Sequence, residues 1–282
     1  MHATIQNAFS EKRTPAITLV GCTGRMGGML CRTWSEAGFV VTGMECLPGH
    51  DVDAAALAGA DIVVLAVPVS ALCETIERIA PCMHPGQLLM DITSVKMLPM
   101  LIMQEFHTGP VVGSHPMFGP MPKQEELRTV LVAGHACEDA HMRMAEELFL
   151  TLGAAVSWST AQEHDHGVAF AQSLNFAMST AFFSTIARHP ECLPFLTPSF
   201  KRHMEAARKH LTVDRAMFCE FTAHNPCFDD AVNAYRATLE EALSNLDGLS
   251  AEAAVWFDDN KRPVEPAVDG KVPVSAQPRN AA

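Results

Sequence analysis

A histidine lies in the segment GSHPMFGP (residues 113–120), directly after the short apolar run of residues 109–112. Pro116 fixes its own φ and biases the preceding residue toward an extended backbone. His115 is therefore predicted at the end of a strand, with its imidazole directed out of the sheet. An imidazole at neutral pH can take a hydroxyl proton while hydride leaves the same carbon. His115 is the candidate general base, and a turn histidine that bonds only to backbone is the alternative.

A second polar segment, DITSVK (residues 91–96), follows another apolar run. Asp91 is expected to order the turn at the end of its strand rather than to take part in chemistry. Ser94, with Lys96 two residues behind it, is a candidate site residue. The alternative for Ser94 is the N-cap of the helix that is predicted to follow.

A glycine-rich turn, GCTGRMG (residues 21–27), follows the apolar run AITLV. Glycines between a strand and a helix let the backbone approach a pyrophosphate, and the helix N-terminus supplies N–H donors for the anion. Cys22 stands where a strict GxGxxG pattern has its first glycine, so a glycine turn without a ligand is the alternative. The predicted cofactor contacts in this turn are Gly21, Thr23, Gly24, Arg25, Met26 and Gly27.

Two further strand ends add to this nucleotide-binding pattern. Glu45 follows the second predicted strand, where a carboxylate can accept hydrogen bonds from the adenosine ribose and repel a 2′-phosphate. This position favours NAD over NADP, and an exposed loop carboxylate is the alternative. Val67 and Pro68 end the third predicted strand and are expected to pass beneath the dinucleotide.

Apolar runs alternate with helical segments up to about residue 158, which predicts a mostly parallel sheet covered on both faces. The predicted fold class is an α/β Rossmann-type nucleotide-binding domain followed by an all-α domain, to which the resemblance described below assigns dimerisation and substrate binding. The predicted strands are residues 16–20, 39–44, 61–67, 87–91, 111–114, 129–133 and 154–158. The predicted helices between them include residues 26–37, 70–79, 97–106 and 139–152.

After residue 160 the strand signals stop and helical periodicity continues to about residue 257. Breaks between helices are expected near Pro190, Pro194, Pro198, the Asn225–Pro226 pair and Gly248. The predicted organisation is a flexible N-terminus (1–15), a nucleotide-binding domain (16–159), an all-helical domain (160–257) and a disordered tail (258–282).

Composition excludes several function classes. The formal net charge is −12, which argues against a surface for nucleic acids or anionic membranes. Nine cysteines without a CxxC pair fit free thiols in a reducing, cytoplasmic setting. The apolar segment of residues 170–187 carries several polar residues, so a helix buried between domains or subunits is preferred to a membrane span.

The glycine turn, the SVK segment and the HPMFGP segment, in this order, resemble the prephenate dehydrogenase family of tyrosine biosynthesis. The resemblance covers about residues 16–257. It implies oxidative decarboxylation of prephenate to 4-hydroxyphenylpyruvate, with hydride passing to NAD, His115 taking the hydroxyl proton and Ser94 supporting it. No metal is implied. It also implies a homodimer formed through the helical domain, and the short flanks predict a monofunctional enzyme.

The helical half resembles the family less closely. His164 and Asp165 match a His-Asp pair, for which supporting and helix-capping roles are expected, whereas Ser173 and Phe176 stand where relatives usually have histidine or another polar group. The substrate-binding residues implied are Arg208, Lys209, His164 and Ser173. An ungapped match places Lys209 where the family uses an arginine, and both cations could instead be solvated helix charges.

The same residues also admit other interpretations. The substrate could be arogenate, since the segment expected to discriminate the two is the one that departs from the family. The glycine turn also resembles dihydrodipicolinate reductase, although that family's Asp-Ala-Pro-Ser-Gly segment is absent. Lys209 leaves a β-hydroxyacid dehydrogenase possible. A non-catalytic NAD-binding sensor is the alternative from a different functional class.

Overall fold

The computed structural model describes residues 14–49 and 51–259, which form two compact units. The first unit contains the described residues up to Ala161, and the second begins at Gln162. The sequence-based predictions for the N-terminus and the tail fall almost entirely on residues outside this range.

The first unit is built on a seven-stranded sheet with the order β2-β1-β3-β4-β5-β6-β7. All neighbouring pairs are parallel except β5 and β6, which are antiparallel. This arrangement confirms the predicted mostly parallel Rossmann-type sheet. The strands are β1 Ala16–Val20, β2 Val40–Met44, β3 Ile62–Leu65, β4 Leu88–Asp91, β5 Val111–Pro116, β6 Arg128–Ala133 and β7 Ala155–Ser159.

Helices cover both faces of this sheet, because its central strands are apolar on both sides. The helices are α1 Arg25–Glu36, α2 Ala54–Ala58, α3 Val69–Ile79, α4 Met97–Phe106 and α5 Asp139–Leu150. On one face Trp34 of α1 packs edge-on against Phe149 of α5 and donates a 2.8 Å hydrogen bond to the carbonyl of Leu148. On the other face α3 and α4 bury Leu72, Ile76 and Met103.

Strand β5 is longer than its sequence predicts. The prediction ended it at Ser114, whereas the strand continues through His115 to Pro116. Antiparallel pairing with β6 explains the difference, since His115 lies opposite Val130 and Pro116 lies opposite Thr129. His115 therefore lies within a paired strand, one residue before its end, and is only 4% exposed.

The described part of the second unit is helical, as predicted. Helix α6 (Ala161–Val168) leads through a π-helical turn at Ala169–Leu174 into α7 (Asn175–Ala187). The chain then forms a 3₁₀ turn at Pro190–Phe195, α8 at Pro198–Thr212, α9 at Arg215–Ala223, α10 at Phe228–Ala242 and α11 at Leu246–Asp259. No described helix has the length and apolarity needed to cross a membrane.

Three details of the helical unit differ from the prediction. Gly248 lies inside α11 rather than between helices. The break near Asp214, which separates α8 from α9, carries no glycine or proline and was missed. Helix α11 includes Asp258 and Asp259, which the prediction assigned to the disordered tail.

Candidate functional site

The candidate residues of the first unit collect at one edge of the sheet. Register pairs Val20 with Met44 and with Leu65, and then pairs Leu65 with Asp91 and Asp91 with Gly113. Because these five strands are parallel, the residues that follow these positions meet at their carboxyl ends. The candidate residues all follow these paired positions in the chain: they are the glycine turn, Glu45, the Val67–Pro68 turn, Ser94 and His115.

The glycine turn is closely packed. Gly21 has φ +93°, and a Cβ at this position would lie 2.5 Å from the carbonyl oxygen of Ala66. A Cβ on Gly27 would lie 2.2 Å from the carbonyl oxygen of Gly21. Gly24 is the N-cap of α1 and has no side chain to accept hydrogen bonds from the first N–H groups of the helix. Because these glycines have no side chains, the backbone of the turn and the N-terminus of α1 are left accessible at the surface.

The carboxylate of Glu45 reaches across this turn. Its Oε1 accepts a 2.6 Å hydrogen bond from the backbone N–H of Thr23. The Cys22 thiol lies beside it, and burial, followed by the neighbouring Glu45, raises the pKa of Cys22. Cys22 thus stays a neutral thiol, while Glu45 is tied to the turn and is half-buried rather than a free loop carboxylate.

A cleft of about 520 Å³ opens beside the glycine turn. One wall is formed by the turn and the first residues of α1, with Arg25 and Arg32. The cleft is also lined by Pro120 and Met121, which belong to the loop that follows β5 and His115. The glycine turn and the HPMFGP segment therefore border one cleft.

The other predicted cofactor contacts lie close to the turn. Met26 is half-buried in α1, Val67 lies against Gly21, and Pro68 is the N-cap of α3.

Ser94 lies in the bend between β4 and α4 and is half-buried. The helix begins only at Met97, and its N-cap is Lys96, so the alternative role of Ser94 as N-cap is wrong. The structure also brings forward Lys96, to which the sequence analysis gave no role. Lys96 is 0% exposed and its Nζ lies 2.5 Å from Oδ2 of Asp91. The sequence signal that could have indicated this ion pair is a lysine five residues after the aspartate that ends β4.

The helical unit contains its own buried polar group. His164 Nδ1 and Asp165 Oδ1 lie 2.7 Å apart within α6, and both residues are buried. Asn225 donates a 2.9 Å hydrogen bond to the carbonyl of Asp165. Because His164 and Asp165 lie inside α6, the expected capping role is wrong. Among the described residues, no group of three or more His, Cys, Asp or Glu side chains is placed to hold a metal.

Ser173 and Phe176 flank the junction between the π-helical turn and α7. Ser173 is 0% exposed, and its Oγ has no hydrogen-bond partner among the described residues. Phe176 packs against Phe218 and against the ring of His210. Burial lowers the pKa of His210, which keeps the imidazole neutral among these rings. π-helical turns are frequent at functional sites.

The two cations expected to bind substrate are exposed on α8. Arg208 Nε lies 3.0 Å from Glu205 Oε2, and Lys209 Nζ lies 3.7 Å from Asp214 Oδ2. Their side chains are 62% and 67% exposed. Their substrate-binding role stays a prediction.

Comparison with known proteins identifies the nucleotide-binding half of the chain. Residues 43–156 match the family model described as the nucleotide-binding domain of prephenate dehydrogenase. The T-protein of Haemophilus influenzae is 26% identical over 255 residues, covering 86% of this chain and 67% of the relative. Residues 43–156 thus correspond to the nucleotide-binding domain of the prephenate dehydrogenase family. The matched residues include Glu45, Ser94 and His115, whereas the glycine turn precedes them.

Solved structures share the fold. An arogenate dehydrogenase from Synechocystis matches with a TM-score of 0.71 at 16% identity, covering 87% of this chain and 98% of that one. The prephenate dehydrogenase of A. aeolicus, crystallised with hydroxyphenyl propionate and NAD+, matches with a TM-score of 0.67 at 17% identity, covering 88% and 96%. The chain therefore shares the fold of these two structures over most of its length.

Proposed function

We propose that this protein is an NAD-dependent prephenate dehydrogenase of tyrosine biosynthesis, with His115 as its general base. The observation that carries the proposal is the cleft shared by the glycine turn and the loop that follows His115. A dinucleotide on the turn would have its reactive end directed along the strand edge where His115 lies. We assign the nucleotide to residues 16–159 and further substrate contacts to residues 160–257.

The residues of the turn fit a dinucleotide. Any side chain at Gly21 or Gly27 would collide with backbone, so both positions are kept open for close approach. The first N–H groups of α1 have no side-chain cap and can bind a pyrophosphate. Glu45, which is held beside the turn by the N–H of Thr23, is proposed to accept hydrogen bonds from the ribose hydroxyls, and its carboxylate would repel the extra phosphate of NADP. The bound NAD supplies the acceptor for the hydride.

The proposed chemistry needs few groups from the protein. His115 accepts the hydroxyl proton as hydride leaves the same ring carbon, and the ring then loses carbon dioxide as it becomes aromatic. The phenolate of the product regains a proton from the imidazolium. Burial of His115 excludes water from this exchange. Ser94, at the same strand edge, is proposed to support the imidazole.

Arogenate is the second candidate substrate, because an arogenate dehydrogenase shares the fold over both units. Prephenate carries a keto acid where arogenate carries an amino acid. The buried Ser173 hydroxyl, which lacks a partner among the described residues, is a group that could read this difference. Arg208 and Lys209 are proposed to attract the carboxylates.

We also propose a cytoplasmic homodimer that forms through the helical domain. Large apolar side chains on α10 and α11 and between them are 53–87% exposed in the single chain. They are Leu239, Leu243, Leu246, Val255, Trp256 and Phe257. Light scattering after gel filtration should give twice the 30.5 kDa of one chain, and a mass of one chain would contradict the dimer.

Absorbance at the NADH band tests the function directly. Purified protein is offered NAD or NADP with prephenate or arogenate in four parallel assays. We expect turnover with NAD and prephenate, and a fall in kcat of about 10²- to 10⁴-fold in His115→Asn. His189→Asn, at an exposed histidine, is the matched control and should retain wild-type kcat. Absence of turnover in all four assays, from a folded protein that binds NAD, would overturn the proposal.

A further inference from the structure

Lys96 is a fully buried charge at the candidate site. It is 0% exposed, although it belongs to a residue type that rarely leaves solvent. Its ammonium lies 2.5 Å from Asp91 Oδ2 and donates a 2.7 Å hydrogen bond to the carbonyl oxygen of Ser114. The hydroxyl of Thr93 also donates to Asp91 Oδ2, and its oxygen lies 3.3 Å from Lys96 Nζ.

These contacts join two strands at the point where their pairing stops. The register between β4 and β5 ends with Asp91 opposite Gly113, two residues before His115. Beyond it, the Ser114 hydroxyl donates a 2.5 Å hydrogen bond to the carbonyl of Asp91, and Lys96 holds the carbonyl of Ser114. The side chain of Lys96 thus continues the connection from β4 to the peptide group that precedes His115.

Gly113 provides the space that Lys96 occupies. A Cβ at residue 113 would lie 2.9 Å from Cδ of Lys96 and 2.7 Å from Sδ of Met100. Side chains alternate along a strand, so Asp91, Gly113 and His115 lie on one face of the sheet. The missing side chain at Gly113 therefore admits the lysine between the strand-end aspartate and the histidine's peptide group.

A buried ion pair adds little to the stability of a fold, because the free energy needed to remove two charges from water is about as large as their mutual attraction. Lys96 is also too buried to touch a substrate. We propose that Lys96, held by Asp91, is a positioning residue that fixes His115 through the carbonyl of Ser114. This inference rests on the proposed function of His115 as the general base.

The test separates position from stability with a double variant. Lys96→Met and Asp91→Asn each leave one buried charge uncompensated and should lower the melting temperature. The combined variant removes both charges and should recover most of that loss. If Lys96 positions His115, kcat of the double variant stays about 100-fold below wild type while the Kd for NAD is unchanged. A folded double variant with wild-type kcat would overturn the proposal.

Two further variants keep the test decisive. Lys201→Met, at an exposed lysine of α8, makes the same chemical change away from the site and should alter neither kcat nor melting temperature. Gly113→Ala keeps both charges but displaces the stem of Lys96, so kcat should fall about ten-fold with the fold retained. If the double variant does not fold, an unchanged kcat in Gly113→Ala overturns the proposal instead.

A spectroscopic readout makes the inference independent of turnover. The imidazole Cε1–H resonance of His115, assigned by its loss in His115→Asn, should move in Gly113→Ala and in the double variant but not in Lys201→Met. Wild-type protein that is inactive on prephenate and arogenate would refute the proposed function alone. An unmoved His115 resonance in Gly113→Ala and the double variant would refute the positioning role alone.

Discussion

In the proposed function, the carboxylate of Glu45 determines the preference for NAD over NADP. Its Oε1 is already held by the N–H of Thr23, so the charge stands at a fixed place beside the glycine turn. A fixed negative charge disfavours a 2′-phosphate because repulsion cannot be relieved by moving the side chain away. The preference for NAD therefore depends on the hydrogen bond that fixes Glu45 as well as on its charge.

Glu45→Gln should weaken the preference for NAD. The amide cannot repel a phosphate and forms weaker hydrogen bonds with ribose hydroxyls, so the ratio of kcat/KM for NAD to that for NADP should fall about 10- to 100-fold. Steady-state kinetics with both dinucleotides measures this ratio. Glu36→Gln, an exposed change at the end of α1, is the control. An unchanged ratio in Glu45→Gln would show that Glu45 does not read the ribose.

The elements around the cleft depend on the close approach of α1 to β1 and β3. Gly27 permits this approach, because its Cα faces the carbonyl of Gly21 and the Cβ of Ala66. If α1 packed further from the sheet, its N-terminus would lie further from the carboxyl ends of the strands. The anion-binding geometry of the turn and the packing of the helix are thus set by the same glycine.

Gly27→Ala should therefore impair both properties together. The added Cβ would lie 2.2 Å from backbone, so α1 must shift, at a cost of about 1–3 kcal/mol in the free energy of unfolding. We expect at least a ten-fold increase in the Kd for NAD, measured by fluorescence titration. Gly167→Ala, inside α6 with nothing within 4 Å, should instead be neutral or stabilising. Normal NAD binding by Gly27→Ala would contradict this account.

At the scale of elements, the sequence predicted what periodicity and glycine spacing encode. The parallel strands, the helical second half and the edge that gathers Glu45, Ser94 and His115 follow from local patterns. The extension of β5 through His115 does not, because it depends on antiparallel pairing with β6. Lys96 was missed for a similar reason, since its partners Asp91 and Ser114 come from two strands and only the folded sheet brings them together.

At the scale of the whole molecule, a buried histidine, His107, and the half-buried His135 lie at the sheet edge opposite the cleft. His107, at the end of α4, is 4% exposed and bonds through Nε2 to the carbonyl of Gln87, 2.9 Å away, just before β4 begins. His135 in turn bonds to the carbonyl of His107. Burial is the main cause that lowers the pKa of His107 from 6.5, with His135 and His84 contributing.

This lowered pKa predicts a fold that is weakened by mild acid. Below pH 6.5 the unfolded chain binds a proton at residue 107 that the folded chain resists, so stability is present above that pH and is lost as the pH falls. The loss from one such group approaches about 1.4 kcal/mol per pH unit. Urea unfolding at pH 7.5 and pH 5.5 should show it, and His107→Gln should flatten the difference, whereas exposed His189→Gln should not. Equal pH dependence in wild type and His107→Gln would assign the acid sensitivity to other groups.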